Sequence, residues 1–141
     1  MAKLSIHTDE KKSKINRNIY GNFSEHLGRC IYNGIYVGEN SDIPNVNGMR
    51  TDIVEALKAI KLPVLRWPGG NFAGEFNWMD GLLPADMRAP FQSYLGLETQ
   101  PHTMGYDFSE INTDDFIALC REIGAEPFIT INPCWNTPDE N

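Results

Sequence analysis

The stretch RWPGGNF, Arg66 to Phe72, sets a permanent cation, a Pro-Gly-Gly turn and a primary amide side by side. An Asn amide offers donors and an acceptor together, which suits a sugar hydroxyl. Phe72, Phe76 and Trp78 crowd the same region, with Glu75, Asn77 and Asp80 between them. Flat apolar faces beside amides and carboxylates fit a carbohydrate, although aromatics of this kind also build cores. Upstream, Glu25 and His26 follow an aromatic run. On a strand they point to opposite faces, so at most one of them meets a ligand. Glu25 and Glu75 form a candidate carboxylate pair for glycoside hydrolysis, a reaction that needs two such groups at a set separation.

Each of these features also has a plainer reading. Gly69-Gly70 could cradle a phosphate, but there is no G-x-G-x-x-G and no Lys-Ser/Thr, so a tight turn explains it as well. Asn71 could be a turn residue. His7 and His102 have no partners at metal-ligand spacing, and no metal or other cofactor is expected. Cys30, Cys120 and Cys134 are odd in number and widely spaced, which fits reduced thiols in a cytoplasmic protein.

The elements that must position these residues follow from periodicity. Leu4 and Ile6 alternate with polar residues as a short half-buried strand, and Ile19–Phe23 reads as another. Residues 38–50 have loop composition. A helix starts at Thr51 as N-cap, with Ile53, Leu57 and Ile60 on one face, and Pro63 precedes a strand from Val64. The pattern recurs: Thr113 as cap, Phe116, Leu119, Cys120 and Ile123 as the apolar face, Gly124 as the stop, then a strand over Phe128–Ile131. TDIVEALKAIKLPVLRWPGGN and TDDFIALCREIGAEPFITINP are two copies of helix, strand, polar end. This predicts an α/β fold of parallel strands with helical crossovers. In such sheets ligands bind beyond the carboxyl ends of the strands, and Arg66 to Asn71 leave a strand at that end.

The bulk numbers narrow the function. With 141 residues, the length suits about one domain. A net charge of −7 argues against nucleic acid, whose phosphates call for a basic patch. The cluster Lys11, Lys12, Lys14 reads as a solvated turn. No apolar run reaches the ~20 residues of a membrane helix, and the N-terminus has no apolar signal segment, so no membrane role is expected.

Asn18 to Glu39, NIYGNFSEHLGRCIYNGIYVGE, and Leu65 to Gly81, LRWPGGNFAGEFNWMDG, resemble the α-L-arabinofuranosidases of glycoside hydrolase family 51, as does IGAEPFITIN. The resemblance implies a (β/α)8 TIM barrel with an accessory β-sandwich. Residues 1–16 would supply N-terminal strand(s) of the sandwich. Residues 17–141 would be the first about three βα units of the barrel, with strands near Tyr20–Ser24, Val64–Trp67 and Phe128–Asn132. It implies that Glu25 and Asn71 bind hydroxyls of an arabinofuranose, and that Arg66 orients the nucleophilic carboxylate. Phe23, Phe72 and Trp78 would line the sugar site. The family's acid/base glutamate, in an Asn-Glu motif on strand four, and its nucleophile glutamate on strand seven are expected beyond Asn141. No catalytic residue is therefore expected in this chain, which would be an N-terminal portion of the enzyme or one part of a split one. The implied function is a retaining, non-reducing-end α-L-arabinofuranosidase acting on arabinose-containing saccharides, homo-oligomeric at full length. The alternative is a non-catalytic sugar-binding or partner module; a third reading is a small open sheet binding a phosphorylated ligand.

Overall fold

The computed structural model describes residues 2–88, 90–92, 106–107 and 109–132. Its centre is a parallel three-stranded sheet in which β1 (Asn22–Phe23) pairs with β4 (Val64–Trp67), and β4 with β7 (Glu126–Ile129). The register sets Phe23 beside Arg66, and Arg66 beside Phe128. Between these strands run an antiparallel hairpin, β2 (Asn45–Val46) and β3 (Met49–Arg50), the helix α1 (Thr51–Ala59), a second antiparallel pair, β5 (Phe91–Gln92) and β6 (Tyr106–Asp107), and the helix α2 (Thr113–Ile123).

Strand alternation sorts β4 into two faces. Leu65 and Trp67 are buried against the helices, and Trp67 stacks on Phe116 of α2 with ring centroids 5.1 Å apart. Val54 of α1 and Leu119, Cys120 and Ile123 of α2 complete one apolar cluster with them. The side chains of Phe23, Arg66 and Phe128 belong to the opposite face of the sheet. Phe23 and Phe128 are exposed there. The helices therefore cover one side of the sheet, and an ion pair from Lys58 to Glu122 ties α1 to α2. That contact, with Glu55 adding to it, raises the Lys58 ammonium above its usual pKa.

Local details depart from the sequence reading in ways that hydrogen bonding explains. The α1 cap shifts by one residue: Arg50 occupies the N-cap, and the Asp52 carboxylate accepts from the Ile53 amide while it pairs with Arg50. The α2 cap is Asn112 rather than Thr113. Its side chain accepts from the Asp115 amide, and the Asp115 carboxylate accepts from the Asn112 amide, a reciprocal capping box. Gly124 ends α2 with φ of 74°, as its position predicts. Ile60 is exposed, and the buried face of α1 centres on Val54 instead.

Other strands move. Ile19 and Tyr20 fall in a 3-10 turn over Arg17–Tyr20, so β1 keeps only Asn22 and Phe23 as formal strand. The ladder nevertheless continues, because the Ser24 amide donates to the Arg66 carbonyl and the His26 amide to that of Pro68. The segment 38–50 is not all loop: Asn47 and Gly48, both at positive φ, turn the β2–β3 hairpin. β7 begins at Glu126, so Pro127 lies inside it and Ile131 beyond it. The predicted strand at Leu4–Ile6 does not form. Leu4 is 86% exposed, and residues 2–7 pair with no strand among the described residues. An isolated alternating segment has neither a ladder nor a core to join. Cys134 and His102 lie outside the described residues.

Cys120 is buried under α2, and burial, with Glu126 adding to it, pushes its thiol up to about 11. Cys30 is exposed. In a Cys134→Ser chain at pH 8, a thiol reagent should label Cys30 and spare Cys120 until denaturant is added, because only about a thousandth of a thiol with that pKa is thiolate. Labelling of both at similar rates in native buffer would contradict this packing of α2 on the sheet.

Candidate functional site

The Pro-Gly-Gly turn is built around a carboxylate. The Oε1 atom of Glu25 accepts hydrogen bonds from the backbone amides of Gly70, at 2.8 Å, and Phe72, at 3.0 Å. Glu25 is 8% exposed. Its second oxygen, Oε2, takes no hydrogen bond from the described residues. The turn thus fixes the carboxylate while one oxygen stays available to a ligand. A Cβ on Gly69 would lie 2.6 Å from Cγ of Glu25, so this close approach requires glycine. Gly70 is looser: a Cβ there would meet Glu25 at 3.6 Å. The phosphate-loop reading fails on the same bonds, because the amides that would cradle an anion already hold Glu25.

Arg66 stands on the same face of the sheet. Its Nε donates to Oγ1 of Thr130 at 2.9 Å, and one terminal nitrogen reaches the Gly69 carbonyl at 3.4 Å. The guanidinium carbon sits 4.6 Å from the centroid of Phe23 and 5.8 Å from that of Phe128. These rings hold the plane of the fork without neutralising it. Among the described residues no carboxylate pairs with Arg66, Glu25 included. A half-buried guanidinium with no acidic partner is equipped to receive one.

Asn71 lies between the two amides that bind Glu25. It is exposed, and its side chain caps nothing in the 3-10 turn Phe72–Gly74 that follows. Turn formation therefore leaves its amide unused. The aromatic residues separate. Phe23 is 51% exposed beside Arg66. Trp78 is 37% exposed and lines a cavity of about 200 Å³ with Phe76 and Thr130. Phe72 is a correction: its ring is 1% exposed and stacked in the core on His26, so it cannot line a sugar site, and only its amide serves Glu25. His26 is buried in that same core, while Glu25 meets the turn, in keeping with the opposite faces expected for neighbours on a strand.

Sequence reading missed Thr130 and Phe128 as supports of Arg66. The two-residue period of a strand already puts them on one face, but which strand lies beside Arg66 is a matter of topology.

The fold and site define an α/β protein with polar side chains gathered beyond the carboxyl ends of parallel strands. No family model matches the chain. It is 44% identical over 140 residues to a protein of Bacteroides ovatus named intracellular exo-alpha-L-arabinofuranosidase, covering 99% of this chain and 26% of that protein. The structure of an arabinofuranosidase of glycoside hydrolase family 51 from Xanthomonas axonopodis pv. citri superposes with a TM-score of 0.83 at 36% identity, over 94% of this chain and 26% of that one. An arabinose complex of the alpha-L-arabinofuranosidase from Thermotoga maritima superposes with a TM-score of 0.77 at 48% identity, over 88% of this chain and 24% of that one. The chain is thus similar over nearly its whole length to alpha-L-arabinofuranosidases, a family 51 structure among them, and spans about a quarter of the relatives it matches.

The glycine geometry makes a paired prediction. Gly69→Ala should push Glu25 off its amides and lower stability by about 1–3 kcal/mol, the range for overpacking a tight site. Gly70→Ala should stay within about 0.5 kcal/mol. Denaturant midpoints of the two variants decide it; equal midpoints would mean that the turn does not grip Glu25.

Proposed function

We propose that this chain supplies the sugar-gripping wall of a retaining α-L-arabinofuranosidase. One observation carries the reading: Oε2 of Glu25, the amide of Asn71 and the guanidinium of Arg66 share one end of the sheet, and each lacks a full set of partners among the described residues. Glu25 and Asn71 hydrogen-bond hydroxyls of the furanose. Arg66 holds and orients the nucleophilic carboxylate, with Phe23 and Trp78 as apolar walls.

The chemistry follows from two carboxyl groups, both expected beyond Asn141. One attacks the anomeric carbon while the other protonates the leaving oxygen; the second then draws a proton from water, which breaks the glycosyl ester. Hydroxyl bonds from Glu25 and Asn71 lower the barrier where they strengthen as positive charge develops on the ring.

The architecture in this reading is the opening of a (β/α)8 barrel. Sequential parallel strands with helices on one face leave the other face, with Phe23, Arg66 and Phe128, as barrel interior. Residues 1–16, of which 2–16 are exposed here, join the accessory β-sandwich. A cytoplasmic location draws support from the word intracellular in the name of the Bacteroides ovatus relative. Homo-oligomerisation rests on the family resemblance alone.

The test is a hybrid in which this chain replaces the corresponding quarter of that relative. It should hydrolyse aryl α-L-arabinofuranosides, and the 141-residue chain alone should not. Asn71→Ala and Glu25→Gln should each lower kcat/KM about ten- to a hundredfold with little change in Tm. Arg66→Lys should act mainly on kcat, because lysine keeps the charge but loses the planar fork. Unchanged kcat/KM for Asn71→Ala and Glu25→Gln in folded hybrid would remove both from the subsite.

A further inference from the structure

We infer that His26 is a positioning residue for Glu25, acting through the ring of Phe72; the inference rests on the reading of Glu25 as a sugar ligand. The two residues adjoin in sequence, but their side chains leave the strand in opposite directions. The connection runs around the turn. The imidazole of His26 lies parallel to the Phe72 ring, with centroids 4.2 Å apart and planes 4° from coincident. Both residues are 1% exposed. The amide of Phe72 is one of the two that hold Oε1 of Glu25.

Three further contacts fix the imidazole. Tyr32 meets it edge-on, with its hydroxyl 3.4 Å from Nδ1. Trp67 lies 5.5 Å away between centroids, and Phe76 lies 6.1 Å away. The backbone amide of His26 donates to the Pro68 carbonyl, at the start of the turn that ends in Phe72. His26 thus clamps both ends of the segment wrapped around Glu25: Pro68 by backbone and Phe72 by ring. A side chain of equal bulk without a flat face would fill the space but let the Phe72 ring tilt. The Phe72 N–H would tilt with it, and one of the two bonds that aim Oε2 would lengthen.

The experiment is a double-mutant cycle in the hybrid enzyme, with Tm recorded for every variant. His26→Leu should lower kcat/KM about tenfold, and His26→Phe, which keeps a flat ring, should recover most of that loss. In a Glu25→Gln background, where the aimed carboxylate is already gone, His26→Leu should add less than about twofold. Phe72→Leu removes the stack from the other side and should show the same loss and the same coupling; it carries the test if His26→Leu does not fold. A full tenfold loss that persists in the Glu25→Gln background would make His26 an independent core residue and overturn the inference. Unchanged kcat/KM for His26→Leu or Phe72→Leu in folded enzyme would overturn it too. A Glu25→Gln hybrid with normal kcat/KM is a different failure: it removes Glu25 from the subsite, and the inference with it.

Discussion

The pair of amide bonds from Gly70 and Phe72 to Glu25 is the constraint around which the site is arranged. A buried carboxylate is costly unless its oxygens are satisfied, and two backbone donors satisfy one of them without adding a countercharge. This choice dictates its surroundings. The backbone must approach closely, so Gly69 can have no side chain. Both donors must come from one turn, so the chain reverses directly after β4. The turn must be rigid, so Phe72 is anchored in the core rather than displayed to a ligand.

Arg66 is solved by the opposite means. It is held by two aromatic rings, a hydroxyl and a carbonyl, none of which carries charge. Had Glu25 been allowed to pair with Arg66, both would have been spent on each other. The turn keeps them apart on one face, so an acceptor oxygen and a cationic fork both stay open at the same end of the sheet. That separation is a structural requirement for any site that uses a carboxylate on hydroxyls and a guanidinium on another acid.

Much of this was legible in the sequence. The repeated helix, strand and polar end gave the parallel α/β arrangement, and Gly124 marked its helix end because only a left-handed stop fits there. Arg66, Asn71 and Glu25 could be singled out by type and by their place after strands. Phe72 could not be sorted correctly, because burial of an aromatic next to a polar turn depends on what lies beneath, here His26 just beyond β1. The helix caps were off by one, since Thr is itself a good cap and only geometry shows that Arg50 and Asn112 hold those positions. The β2–β3 hairpin had its signal, Asn47-Gly48, but it sat within a run of loop-forming residues.

Pro127 has a consequence of a different kind. The amides of Glu126 and Thr130 donate inward, to the carbonyls of Pro63 and Trp67. Strand alternation then points the nitrogen of residue 127 outward, to the side where β7 has no neighbour among the described residues. A proline there leaves the ladder to β4 intact and deletes a donor from the open edge. Phe128, Ile129 and Ile131, in and just after β7, are apolar and exposed among the described residues. One imino acid therefore leaves the pairing of β7 with β4 untouched while taking a donor from the opposite side of the strand.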